Sequence, residues 1–308
     1  MSPGNRQPAR GERGTLYQEV TDKIVSELEQ GRFPWVQPWG GASAALGLPK
    51  NAATTRRYSG INVLVLWGAV IEKGYRGQNW LTFRQALTLG GSVRKGEKGT
   101  TVFYADKFIP KGEIARAAKE GDDPNPVPFL KRFTVFNVEQ CDGLPETAFA
   151  GIAPLPEREI IPHAEDLIKR TGANFRIGGN RAFYQKVDDF IQVPPQPAFH
   201  QQIDYYRTCF HELGHWTGAK HRLARDHSGR FGSHPYAREE LTAEITSAFV
   251  CAALGIVPTV RHTDYLASWL DVLKEDNRAI FRAASQASKA ADFILAFEAG
   301  AQPQSEAA

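Results

Sequence analysis

The chain has 308 residues, of which 42% are hydrophobic and 23% charged, with a formal net charge of +3. These values fit a globular protein long enough for two domains and exclude a disordered or collagen-like chain. No apolar run reaches the length of a membrane span and the N-terminal stretch is polar, so a cytoplasmic location without a membrane partner is expected.

Cys141, Cys209 and Cys251 are scattered and odd in number, which predicts buried free thiols rather than a disulfide frame or a cysteine-based zinc site. The small net charge hides an asymmetry. Between Lys50 and Lys111 there are 11 Lys/Arg against 3 Asp/Glu, while the other 246 residues carry 26 against 31. A basic block in a mildly acidic chain points to a polyanionic partner.

Residues 1–14 are Gly-, Pro- and Arg-rich and are expected to be disordered. Thr15 and Gln18 have capping-box spacing, and Tyr17, Val20, Ile24 and Leu28 then mark an amphipathic helix ending near Gly31. The proline-bounded segment Phe33 to Trp39 is extended. Its indoles, Trp35 and Trp39, read equally well as core staples or as a platform for bases. A second apolar helix spans Asn62 to Ile71, and a short amphipathic piece runs from Phe83 to Leu89. Gly90 to Thr100 forms a basic glycine-rich turn before a strand at Thr101–Tyr104, whose partner is Phe133–Asn137. Lys111 to Pro128 is polar with three prolines and reads as a mobile loop.

Cations interleaved with aromatics suit single-stranded nucleic acid, because cations follow phosphates while rings stack on exposed bases. The residues in that pattern are Arg56, Arg57, Tyr58, Trp80, Arg94, Lys95 and Lys98.

A Pro/Ala/Gly-rich stretch near 146–157 is expected to link a first domain (15–145) to a second (158–298), with a disordered tail at 299–308. The second begins with a helix over Pro162–Arg170. A hairpin of Phe175–Gly178 with Ala182–Lys186 follows, then a strand at Phe190–Val193 expected to border a cleft.

Next comes His211-Glu212-Leu213-Gly214-His215, an H-E-x-x-H motif. Ile203, Tyr206, Phe210 and Leu213 recur with helical period, so His211 and His215 share a face and can aim two imidazoles at one Zn2+ or another divalent transition ion. Glu212 is placed to act as general base. A hydrolytic zinc needs a third ligand and an open position. Glu240 and Glu244, four apart on a following helix, supply a ligand and an orienting carboxylate, with Glu240 the preferred ligand and Glu239 turned to solvent. Glu244 as ligand is an alternative, and so is His221, which completes an H-E-x-x-H-x-x-G-x-x-H pattern. Against His221, no Met-turn exists, since the sole methionine is Met1. Tyr236 and Tyr265 are candidates for an electrophile opposite Glu212. The rest of the chain reads as helical, with an alanine-rich helix from Ala279 to Phe297.

The sequence resembles the ArdC-type antirestriction proteins, related to the N-terminal part of TraC-type conjugative primases. The resemblance rests on Trp35 and Trp39, Arg57-Tyr58-Ser59-Gly60-Ile61-Asn62, Asn79 to Phe83, Lys95 to Gly99, His211 to Gly218, His221 to Leu223, and Tyr236 to Glu244. It implies an α+β protein with an N-terminal domain that binds single-stranded DNA and a C-terminal zincin-like metallopeptidase domain. It adds Trp35, Trp39 and Asn62 to the expected DNA contacts and favours a glutamate third ligand. The implied role is protection of incoming plasmid DNA from restriction, with a protein of the host restriction system as peptidase substrate. Two other functions fit the residues: a DNA-binding protein with a structural metal, and a zinc endopeptidase with no DNA role.

Overall fold

The computed structural model describes residues 10–36, 47–149, 157–226, 229–230, 232–257 and 265–299. Its first part contains α1 (Arg10–Glu29), β1 (Lys50–Asn51), α2 (Ile61–Lys73), β2 (Asn79–Thr82), α3 (Phe83–Thr88), β3 (Ser92–Val93), β4 (Thr100–Phe108), α4 (Lys111–Glu120), β5 (Val127–Asn137) and β6 (Cys141–Asp142). The second contains α5 (Glu157–Arg170), β7 (Asn174–Ile177), β8 (Phe183–Gln185), β9 (Phe190–Val193), α6 (Gln202–Trp216), α7 (His234–Ala253), α8 (Leu266–Glu275) and α9 (Ala279–Ala296). The arrangement is two-domain α+β. Among the described residues no helix is long and apolar enough to cross a membrane.

The first part is built on a sheet of order β1-β2-β5-β4, with a two-stranded β3-β6 ladder beside it. The β4–β5 hairpin is paired from Thr100↔Val135 to Phe108↔Val127, far longer than the expected strands. The segment expected to be a mobile loop inside it instead forms α4. Its prolines all follow the helix, at 124, 126 and 128, and Arg116 ties Glu113, Glu120 and Asp122 along one face. Helix α1 starts at Arg10, inside the stretch read as disordered, so Thr15 sits within the helix rather than capping it. Much of the expected linker, at 150–156, lies outside the described residues.

One core joins both parts. Ile24 and Leu28 of α1, Trp35, and Leu64 and Trp67 of α2 are buried with Phe249, Trp269, Ile280 and Ala284 from the helices of the second part. Trp67 meets Phe249 edge to face at 5.5 Å. The start of α2 is fixed against α9. Gly60 has φ 60°, its N–H donates to Ser288 Oγ at 2.7 Å, and a Cβ there would contact the Ser285 backbone.

In the second part the sheet order is β7-β9-β8. The expected hairpin of β7 with β8 is not formed. β9 inserts between them, parallel to β7 and antiparallel to β8. Phe190, Ile191 and Val193 of β9 are buried, which suits a central strand, whereas Phe183 of β8 is exposed. The strand at the cleft is therefore the edge strand β8, not β9.

Asn62 clamps α2 to β4: its amide donates to Phe103 O and accepts from Phe103 N–H, both at 2.7 Å. Its amide, expected among the DNA contacts, is engaged with the backbone of β4. Asn62→Ala leaves both partly buried Phe103 groups unpaired and is expected to cost about 2–3 kcal/mol of stability in urea unfolding.

Candidate metal centre

Helix α6 is buried on nearly every side, including Tyr206, Phe210, Leu213, His211 and Glu212. Its neighbour α7 is capped by Ser233, whose hydroxyl accepts from Tyr236 N–H, with Pro235 in the first turn. The two helices touch at Gly214, where a Cβ would stand 3.1 Å from Ala243 Cα. That contact lays Glu240 and Glu244 against the two histidines.

His211 Nε2 lies 3.6 Å from one Glu240 oxygen, and His215 Nε2 lies 3.5 Å from the other. The imidazoles stand 5.0 Å apart, at 81° to each other. One ligand atom from each of His211, His215 and Glu240 falls within a 4.8 Å group. The opposite ring atoms are engaged too. His211 Nδ1 is 3.2 Å from Glu244, and His215 Nδ1 is 3.2 Å from Glu239. The Glu239 carboxylate hydrogen-bonded to His215 Nδ1 fixes, once that ring is neutral, the tautomer that leaves Nε2 as the donor, while Glu244 brings its charge to His211 Nδ1.

The placement of Glu239 corrects the sequence reading, which turned it to solvent. Its side chain is only 11% exposed and forms a forked pair with Arg225, at 2.8 and 3.1 Å. Arg225 also donates to Gly214 O and Thr217 Oγ, so it ties the end of α6 to α7. No local spacing announces this residue. It reaches α7 because the chain after α6 folds back on the helix. His221 stands outside the cluster: its side chain is 65% exposed and its Nε2 lies 3.4 Å from Asp189. The next residue, Arg222, bonds Asp189 and Trp216 O and lies 4.0 Å over the Trp216 ring, pinning the β8–β9 turn to α6.

Charge balance favours a cation. Burial pushes the His211 imidazole down, but Glu240 and Glu244 outweigh it and hold it up at about 10. Burial likewise pushes His215 down and is outweighed by Glu240 and Glu239. For Glu240, burial pushes up, while His215 and His211 bring it down to about 2. Glu239 is brought to about 2 against its own burial by Arg225 and His215. The carboxylates thus hold both imidazoles as cations, and a divalent ion would take the place of those protons between the two Nε2 atoms and Glu240. Two imidazole nitrogens and a carboxylate oxygen are a donor set for a divalent transition ion.

The cluster opens into a cavity of about 570 Å³ whose wall includes β8, Glu212, Tyr236 and Tyr265. The two tyrosine hydroxyls are 3.0 Å apart. Burial first, then the bonds to Tyr265 and Glu240, push the Tyr236 phenol well above its usual range, so it stays protonated as a donor.

The basic block is partly exposed and partly core. Arg56, Arg57, Arg94, Lys95 and Lys98 are exposed and Tyr58 is half-buried. Arg94 is paired with Glu97 and Asp142 and donates to Glu139 O. Trp80 and Trp35 are fully buried, Trp80 against Tyr75 and Trp35 against Phe33 and Trp269, so neither ring is available to a base. Trp39 lies outside the described residues.

Fold and cluster together define a two-domain protein with a metallopeptidase-type domain of the zincin class. Residues 162–286 match the family described as zincin-like metallopeptidase, and residues 14–136 match the N-terminal domain of anti-restriction factor ArdC. The chain belongs to the ArdC antirestriction family. It is 40% identical over 295 residues to the uncharacterized protein y4eC of Sinorhizobium fredii, covering 93% of this chain and 94% of that protein. It is 39% identical over 298 residues to a DNA primase TraC of Escherichia coli, covering 92% of this chain but only 20% of the primase. Two crystal structures of antirestriction ArdC from plasmid R388 superpose, each at 40% identity. The metal-free one has a TM-score of 0.76, with 94% of this chain and 99% of that chain covered. The Mn(II)-bound one has a TM-score of 0.75, with 92% and 98% covered.

His211→Ala is expected to abolish stoichiometric metal binding in chelator competition, and Glu239→Gln to weaken it about 10–100-fold by freeing His215 to rotate. His221→Ala is expected to leave it unchanged.

Proposed function

We propose that the chain is a cytoplasmic antirestriction protein that binds single-stranded DNA and carries a zinc metallopeptidase-like centre, with His211, His215 and Glu240 as ligands. The observation that carries the metal part is the convergence of both Nε2 atoms on Glu240, while Glu244 and Glu239 lie 3.2 Å from the Nδ1 atoms. When bound, a divalent ion supplies Lewis acidity to a peptide carbonyl and lowers the pKa of a water.

The chain's own groups do the rest. Glu212, beside His211 in the cavity wall, accepts the water proton and passes it to the leaving amine. Tyr236 keeps its proton and donates a hydrogen bond to developing negative charge. Edge strand β8 offers backbone groups to an extended peptide lying in the cavity. A protein of the host restriction machinery is the substrate this reading assigns.

The DNA part is supported by the exposed cations Arg56, Arg57, Lys95 and Lys98 and by the likeness to ArdC of plasmid R388. Protection of incoming plasmid DNA during transfer unites the two activities.

Glu212→Gln is expected to retain stoichiometric zinc and DNA affinity while slowing peptide cleavage by about 100-fold or more. Proteomes of cells carrying the wild-type and Glu212→Gln proteins check this. Identical cleavage profiles would remove the hydrolytic role and leave a binding protein with a structural metal.

A further inference from the structure

Trp35 and Trp80, which looked suited to stacking on bases, are core residues, and among the described residues an exposed aromatic surface of the first part lies elsewhere. Tyr104 and Phe133 are 49% and 46% exposed, on β4 and β5. Val102 pairs with Phe133 and Tyr104 with Lys131. Side chains opposite one another in an antiparallel ladder share a face, as do residues two apart. Val102, Tyr104, Lys131, Phe133 and Val135 therefore lie along one face of the sheet.

At one end of that face Val102 and Val135 are buried with Trp80 and the α2 side chains Leu66 and Val70. The exposed rings continue outward from this anchored end. Their centroids are 6.4 Å apart at an interplanar angle of 79°, so the two rings form one apolar platform. The Tyr104 hydroxyl donates to Asp106 Oδ2 at 2.7 Å, which fixes the ring's orientation. The platform is bordered by one cation, Lys131, and by the carboxylate of Asp106 that the Tyr104 hydroxyl already engages. Lys131 is the direct cross-strand partner of Tyr104.

Two half-exposed rings on a paired hairpin, beside an exposed cation, are what a strand with unstacked bases requires. A duplex has its base faces covered and would meet only the cation. The geometry points to the Tyr104–Phe133 face as the base-stacking platform for single-stranded DNA, with Lys131 on a flanking phosphate. This rests on the DNA-binding reading above and assigns residues that the sequence pattern did not single out.

The test uses the full chain and a fluorescein-labelled oligo(dT) of roughly 16 nucleotides, with anisotropy followed across a salt series. Tyr104→Leu and Phe133→Leu keep an apolar side chain but remove the π face, and each is expected to weaken binding about tenfold. Stacking is uncharged, so the slope of log K against log salt stays at the wild-type value. Lys131→Gln is expected to weaken binding and reduce that slope by about one phosphate contact. Tyr104→Phe keeps the ring and retains most of the affinity. Wild-type affinity in both leucine variants, while the unmodified chain binds oligo(dT), would overturn the platform and leave the DNA-binding reading intact. A chain that does not bind oligo(dT), or that binds duplex of equal length as well, would overturn both.

Discussion

A Cβ on Gly214 would stand 3.1 Å from Ala243 Cα and 3.3 Å from Ala243 O, so α6 and α7 meet nearly backbone to backbone. The glycine lies inside the H-E-x-x-H stretch, one residue before His215. Close approach there brings Glu240 and Glu244, on successive turns of α7, to either side of His211. It also brings Glu239 within 3.2 Å of His215. Arg225 secures the same junction from outside by bonding Gly214 O and Glu239 at once. Larger separation of the helices would leave three carboxylates and two imidazoles buried without one another, a costly arrangement.

The remaining elements brace this pair. Helix α9 lies against α7 through small side chains, among them Ala283, Ala284, Ala287 and Ala291, which are all buried. The same helix receives the start of α2 through Ser288, and α2 holds β4 through Asn62. A continuous packed path thus runs from the sheet of the first part to the helix that carries Glu240.

What could be read in the sequence follows from how local each signal is. His211 and His215 are legible because i and i+4 on a helix face the same way whatever surrounds them. The pairing of Glu240 with Glu244 was legible for the same reason. Glu239 was not. Its position one residue from Glu240 suggested solvent, and only the return of Arg225 makes that side of α7 an interior. The third-ligand choice was open in sequence because His221 has a motif spacing, yet the turn after Gly218 carries it outward beside Asp189. Aromatic residues in a basic block were read as contacts for bases. Trp35 and Trp80 have no local mark that separates burial from display, since that depends on which helices cover them. Helix α4 is masked in sequence by the prolines just beyond its end, at 124, 126 and 128, although the Glu113, Arg116 and Glu120 spacing carries its ion pairs.

The position of a bound metal decides most directly how this centre works. Anomalous scattering from crystals of the zinc-loaded protein locates the ion and its ligands together. The expected result is a single ion bound by His211 Nε2, His215 Nε2 and a Glu240 oxygen, with Glu244 and Glu239 still against the Nδ1 atoms. An ion bound by His221 or by Glu244, or coordination through either Nδ1, would contradict it.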